Sequence, residues 1–326
     1  MQLHNHARAG AALSIPSDPP SQVLSVSPVV LPRPDHKESL QLRVTLPSAG
    51  DAPLPIVLLS HGGGPSYHLS SLDGLAPLAE FLAARGFAVL QPTHLTSASL
   101  GMAIDGGNIR DMYVDSRARD MTLIIDHLEK IEAALPFLSR GRLDKSKISV
   151  AGHSLGGLTA SLLLGATNVD PRDGTKSALV DKRIKTGVIF GGTGTGGDAL
   201  SEAGRGHLPC YDAEFSEMHA PALVVWGEED GNPQLTSRGA QWHAEPYTQP
   251  PAPKASFMVK GGKHGFGGIS GWDADETDDE SPERLEAVLR MTVAYLKSQL
   301  FDGNDAWDRA CDALRELEQL GKVENK

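Results

Sequence analysis

Gly152-His153-Ser154-Leu155-Gly156, with Gly157 following, places a serine between glycines two positions away on either side. A serine hydroxyl is a weak nucleophile at neutral pH. It attacks a carbonyl efficiently only when an imidazole takes its proton and a carboxylate orients that imidazole. The glycines have a steric reason: a serine at a sharp strand-to-helix turn sits in a strained backbone conformation where neighbouring side chains would collide. Ile148-Ser149-Val150-Ala151 reads as the buried strand before the turn, and Leu158 to Leu164 as the helix after it. The pattern is that of a nucleophile elbow. The helix start also puts the Leu155 N–H and the helix dipole where negative charge would develop on an attacked oxygen.

An elbow serine predicts two partners further along the chain, an acid and then a histidine, each just past a later strand. Of the twelve histidines, those beyond the elbow are His207, His219, His243 and His264, and only His264 lies in a glycine-flanked turn directly after a strand, Gly261-Gly262-Lys263-His264-Gly265. His264 is therefore the expected general base. For the acid, Glu228-Glu229-Asp230 follows the apolar run Ala222 to Trp226; Asp230 lies far enough past the strand to turn toward the base, with Glu229 as the alternative. A second oxyanion donor is expected from the glycines after His61, with Gly63 preferred and Gly64 next. His61 precedes the serine and is expected to hold its loop rather than act as base.

These residues need a scaffold that brings strand ends together. Pro55-Ile56-Val57-Leu58-Leu59-Ser60, Phe87-Ala88-Val89-Leu90, the elbow strand, Gly187-Val188-Ile189-Phe190, Ala222 to Trp226 and Ala255 to Val259 are short apolar runs of the kind buried on both faces of a parallel sheet. Helical spacing at 75–85 and 115–135 lies between the earlier runs, which makes the chain α/β. Alternating stretches at 23–30 and 40–46 read as antiparallel edge strands. The organisation expected is a flexible N-terminal arm over 1–22, a catalytic domain over 23–300 and a C-terminal helical extension over 301–326. Ser281-Pro282-Glu283 marks a helix start, preceded by an acidic run read as a solvated loop.

A formal charge of −11 and no cluster of Lys and Arg exclude a nucleic-acid or anionic-membrane partner. No stretch reaches membrane-spanning length, and the apolar run near the N-terminus is too short for a secretory leader, so a cytoplasmic location is expected. Cys210 and Cys311 are too few for a disulfide framework, and whether they pair stays open, as does the oligomeric state. Gly192 to Gly197 formally matches a dinucleotide-binding glycine pattern, but it opens no clear helix and is read as a loop at the sheet's edge. Asp273 and Asp275 suggest a calcium loop, yet Asp278 stands where its turn needs glycine, so no metal is expected.

Taken together, Ser60-His61-Gly62-Gly63-Gly64, the elbow, Gly227-x-x-Asp230 and Gly262-Lys263-His264-Gly265-Phe266 resemble the α/β-hydrolase fold over about residues 40 to 300. Within it they resemble the dienelactone-hydrolase, chlorophyllase and platelet-activating-factor acetylhydrolase group, although dienelactone hydrolases carry cysteine where this chain has Ser154. The resemblance implies a mainly parallel eight-stranded sheet with helices on both faces, and a carboxylic-ester hydrolase that needs no cofactor and forms an acyl-serine. The expected substrate is a small-molecule or lipid-like ester, held by Gly64, Tyr67, His153 and Phe266, with Trp272 nearby and loops 92–110, 191–219 and 266–280 around it. An acyltransferase or an amidase would use the same triad, and a binding protein that has kept the fold is the reading outside enzymology.

Overall fold

The computed structural model describes residues 9–34, 36–64, 66–100, 111–135, 138, 140–271, 274 and 277–326. In chain order the elements are β1 (Val23–Leu31), β2 (Leu40–Pro47), β3 (Leu54–Ser60), α1 (Ala76–Ala84), β4 (Ala88–Pro92), α2 (Ser116–Asp126), α3 (Leu128–Ala133), β5 (Leu143–His153) and α4 (Leu155–Leu163). They continue with β6 (Thr167–Val169), β7 (Lys176–Ala178), β8 (Ile184–Phe190), α5 (Glu202–His207), β9 (Ala213–Glu214), β10 (Ala222–Gly227), α6 (Glu245–Thr248), β11 (Lys254–Val259), α7 (Pro282–Leu300), α8 (Ala306–Arg315) and β12 (Gly321–Asn325).

Among the described residues nine strands form one mixed sheet in the order β1-β2-β4-β3-β5-β8-β10-β11-β12. The run from β4 to β11 is parallel; β1, β2 and β12 are antiparallel additions. Side chains alternate across this sheet as a period of two requires. Ile56, Leu58, Ile148, Val150 and Val224 face one core with α2, α3 and α4. Val57, Leu59, Ala151, Val188 and Val225 face the other with α1, α7 and α8. The arrangement is compatible with the α/β-hydrolase fold. From β3 the chain steps outward to β4, and from β5 it steps the other way through β8, β10 and β11, so the order reverses between β3 and β5. At such a switch point the loops leaving two adjacent strands part in opposite directions and open a crevice.

The strand count is a correction: nine rather than eight. The extra strand is β12, which pairs antiparallel with β11 from Val259↔Gly321 to Ala255↔Asn325. Its sequence, Gly-Lys-Val-Glu-Asn, has one apolar side chain, so nothing in its composition advertises a strand; backbone pairing along an open edge makes it one. The segment 301–326 is thus a helix and a strand, not purely helical. The arm also differs from expectation. Residues 10–15 dock on α7: Ala12 and Ile15 are fully buried, the Ala11 N–H donates to Glu283 Oε1 at 2.6 Å, and Arg290 Nη1 donates to the Ile15 carbonyl at 2.6 Å.

The helix expected over 115–135 breaks at His127. The His127 ring donates from Nδ1 to the Leu123 carbonyl at 3.0 Å, and its own N–H turns to Ile124 instead. A side chain has taken the acceptor that the helix would have used. The polar stretch 168–183 holds the strands β6 and β7, which form a small separate sheet with β9. Cys210 and Cys311 are both buried, and no disulfide joins them. Among the described residues no helix is long and apolar enough to cross a membrane.

Candidate active site

The elbow glycines are required by contact. A Cβ on Gly152 would lie 2.0 Å from the Gly156 carbonyl oxygen, and one on Gly156 would lie 2.1 Å from the Ser60 carbonyl oxygen. Ser154 between them has φ 57° and ψ −119° and caps α4, whose first turn bonds back to its carbonyl through the Gly157 N–H at 2.8 Å. Among the described residues only Ser154 and Phe266 are non-glycine with positive φ. They lie on the two turns that meet here. The strain is anchored, since the Ser154 N–H donates to the Phe190 carbonyl at 2.9 Å.

His264 Nδ1 donates to Asp230 at 2.9 Å from Oδ2 and 3.1 Å from Oδ1. Asp230 is nearly sealed, with a side-chain exposure of 4%, whereas 40% of the His264 side-chain surface is open. Burial disfavours charge on His264, but the Asp230 carboxylate outweighs it by attraction and hydrogen bond and holds the imidazole above its ordinary value. Burial likewise pushes the Asp230 carboxyl up; attraction to His264 and its hydrogen bond win, and the carboxyl ends below its ordinary value. With Nδ1–H committed to the carboxylate, the lone pair of a neutral His264 is on Nε2, the correct tautomer for a base. Glu229 does not take this place: its N–H bonds the Gly262 carbonyl at 2.9 Å and its residue lines the cavity.

Ser154, Asp230 and His264 all line one cavity of about 220 Å³. Its wall also carries Thr193, Asn232, Leu235, Lys263 and Asp278. None of the residues expected to hold substrate is among those that line this cavity. Phe266 is fully buried, edge-on to His153 with ring centroids 6.0 Å apart. His153 is buried and donates from Nε2 to the His264 carbonyl at 2.8 Å, with burial taking its ring down to about 3. Tyr67 is 71% exposed, and neither it nor Gly64 lines the cavity. Trp272, Asp273 and Asp275 lie outside the described residues, as do 101–110 of the loop expected at 92–110.

The glycine loop after β3 lies against the elbow. A Cβ on Gly62 would be 3.3 Å from Ser154 Cβ, and one on Gly63 3.4 Å from Leu155 Cδ2. So the backbone of Gly63 and the first N–H groups of α4, which have no partner within the helix, border the same region. Beneath the loop His61 donates from Nδ1 to the Gly62 carbonyl at 2.6 Å and accepts from the His94 N–H at 3.1 Å. Arg117 donates to the His61 carbonyl and, at 3.2 Å, to Ser60 Oγ.

Three further residues around the site are not singled out by the sequence. His94 donates from Nδ1 to Asp120 Oδ2 at 2.8 Å and accepts from Ser60 Oγ at 3.0 Å. Asp279, inside the acidic run read as solvated, is buried and accepts the Lys263 N–H at 2.8 Å and the Gly267 N–H at 3.3 Å, fastening the turn that carries His264. His243 sits beside Asp230, its Nε2 3.5 Å from Oδ1. It follows no strand, being in the 3-10 turn Gly239–Ala244, so the strand-end rule that selects His264 passes over it.

No protein-family model matches the chain, and no curated protein is similar to it in sequence. What the site can do is read from its geometry: a half-buried serine with strained backbone, a histidine whose Nδ1–H is committed to a carboxylate, and that buried carboxylate share one cavity.

Proposed function

We propose that the protein is a serine hydrolase of carboxylic esters of the α/β-hydrolase kind, working through Ser154, His264 and Asp230. The observation that carries the reading is the left-handed Ser154 at the head of α4, facing the same cavity as a His264 already bonded to Asp230. Backbone strain of this sort persists only where the surroundings enforce it, and here it holds a hydroxyl out of the sheet.

In the proposed reaction Ser154 Oγ attacks the ester carbonyl carbon while His264 Nε2 takes the hydroxyl proton. The tetrahedral oxyanion accepts hydrogen bonds from the Leu155 and Gly63 N–H groups. Collapse breaks the acyl C–O bond, and His264 returns the proton to the departing alkoxide, which leaves as alcohol. Water then repeats the sequence on the acyl-serine and releases the acid. Asp230 keeps His264 in register and stabilises the imidazolium.

A cavity of about 220 Å³ with Lys263, Asn232 and Asp278 on its wall favours short or polar acyl groups over long alkyl chains. The test is hydrolysis of p-nitrophenyl esters from acetate to palmitate. The expected result is turnover that declines with chain length and falls by roughly three to six orders of magnitude in Ser154→Ala and His264→Ala. A folded wild-type protein that leaves every ester intact, or a Ser154→Ala variant as active as wild type, contradicts it.

A further inference from the structure

The proton relay leaves one buried group of the cavity without a task. His243 has a side-chain exposure of 3%, and its Nδ1 lies 2.8 Å from the Gly192 carbonyl oxygen. A carbonyl can only accept, so Nδ1 carries a hydrogen, and in the neutral ring Nε2 presents a lone pair. That lone pair has no hydrogen-bond partner and lies 3.5 Å from Asp230 Oδ1. Two acceptors are therefore pressed against each other out of contact with water, an arrangement that a cation between them would relieve.

The spacing says which kind of cation. A hydrogen bond would place nitrogen and oxygen about 2.7–3.2 Å apart. Two ligands bound at about 2.0–2.1 Å to one tetrahedral ion lie about 3.3–3.4 Å apart, close to what is seen. The third side is also present: His264 Nδ1 is 3.1 Å from the same Oδ1, and the ligating atoms of Asp230, His243 and His264 all lie within 4.8 Å of one another. A neutral His243 offers Nε2 to such an ion. Its non-ligating nitrogen is already oriented by a backbone carbonyl, as in most histidine metal sites.

We propose that Asp230, His243 and His264 form a binding site for a divalent transition metal of the zinc class, and that its occupation switches the hydrolase off. Two imidazoles and one carboxylate suit Zn²⁺, Ni²⁺ or Cu²⁺ rather than Mg²⁺ or Ca²⁺, which prefer all-oxygen shells. The inhibition follows from one ring. Without metal, His264 keeps its proton on Nδ1 and offers Nε2 to Ser154. Metal on Nδ1 takes the position of that proton, which moves to Nε2, so the neutral ring keeps one proton and gains none. A protonated Nε2 cannot accept the hydroxyl proton of Ser154. Metal binding rests on the His243 geometry alone; only the inhibition rests on the ester-hydrolase reading.

The experiment is calorimetric titration of the full chain with ZnCl₂, paralleled by CoCl₂ and its visible d–d absorption, on wild type, His243→Asn, His264→Ala and Ser154→Ala. Asparagine at 243 keeps a donor for the Gly192 carbonyl while removing the Nε2 ligand. One site is expected in wild type and in Ser154→Ala, weakened at least tenfold in both His243→Asn and His264→Ala, with saturating Zn²⁺ abolishing p-nitrophenyl acetate hydrolysis. No binding by wild type, or binding unchanged in both histidine variants, overturns the site. Histidine-dependent binding by a protein that cleaves no ester leaves the site standing and removes the hydrolase reading instead. An enzyme still active with its histidine-dependent site filled overturns the switch.

Discussion

Two clusters of buried histidine and carboxylate flank the Ser154 elbow, and they are finished differently. Under the β3 loop, Arg33, Ser60, His61, His94, Arg117 and Asp120 are all buried, and no buried side-chain polar atom among them lacks a partner. Arg33 grips Asp120 with two hydrogen bonds, of 2.7 and 3.0 Å, and every histidine nitrogen has a matched donor or acceptor. Across the elbow, Asp230, His153, His243 and His264 are packed as closely, with ring centroids 4.7 and 5.5 Å from His264, but His153 Nδ1 and His243 Nε2 have no partner, and His264 opens to a cavity. A fully satisfied buried network fixes a backbone. One with lone pairs to spare keeps its capacity for proton transfer or for a ligand.

The largest expected effect falls on the open cluster. Asp230→Asn keeps the shape but tends to reverse the His264 tautomer, and kcat should drop by about 10⁴-fold with little change in the unfolding midpoint. Steady-state kinetics beside a urea melt measures both. A variant that instead unfolds while retaining its specific activity would make Asp230 structural and erase the contrast.

The closed cluster should respond in stability. Asp120→Ala strands the Arg33 guanidinium and His94 Nδ1 away from water, and loss of one partner from such a buried ionic group costs about 3–5 kcal/mol. Urea unfolding reads this directly. A cost under about 1 kcal/mol would show that the network is not what holds the β3 loop.

Acid should separate the clusters. Burial, reinforced by Arg117, holds His61 and His94 well below their ordinary value. Their neutral forms therefore contribute stability that is complete above the unfolded-chain value of about 6.5 and is lost as pH falls from there toward their folded values. His264 is raised, so its pairing with Asp230 adds stability that is complete below about 6.5 and is lost as pH rises through the folded value. The proposed hydrolysis needs neutral His264, and kcat/KM should already be falling above pH 6.5 on the acid side, before the melting midpoint begins to drop. Simultaneous loss of both would contradict separate roles. The smallest effect belongs to Glu229→Gln, since Glu229 lines the cavity while His264 bonds Asp230 instead; kcat/KM should stay within about threefold of wild type, equivalent to roughly 0.65 kcal/mol.

How much of this is legible in sequence depends on whether the cause is local. The elbow is legible because Gly152 answers to a clash with Gly156 only four residues on, and β3, β5, β8 and β10 because strands buried on both faces read as apolar runs; the clash that requires Gly156, with the Ser60 carbonyl oxygen, comes from another strand. His264 and Asp230 follow from their place past strand ends. Strand β12, the docking of Ala12 and Ile15 on α7, and the burial of Asp279 are not legible, because each is made by a partner distant in sequence and leaves no periodic trace. His243 is hidden for the same reason: its importance lies in facing Asp230, thirteen residues back on another loop.

The measurement that bears most directly on the central claim is labelling of the folded protein with a fluorophosphonate, followed by peptide mass spectrometry. The account predicts one adduct, on Ser154, formed rapidly in wild type and suppressed by at least a thousandfold in His264→Ala. No adduct on folded wild type, or labelling of Ser154 that is indifferent to His264, would contradict an activated serine at the elbow.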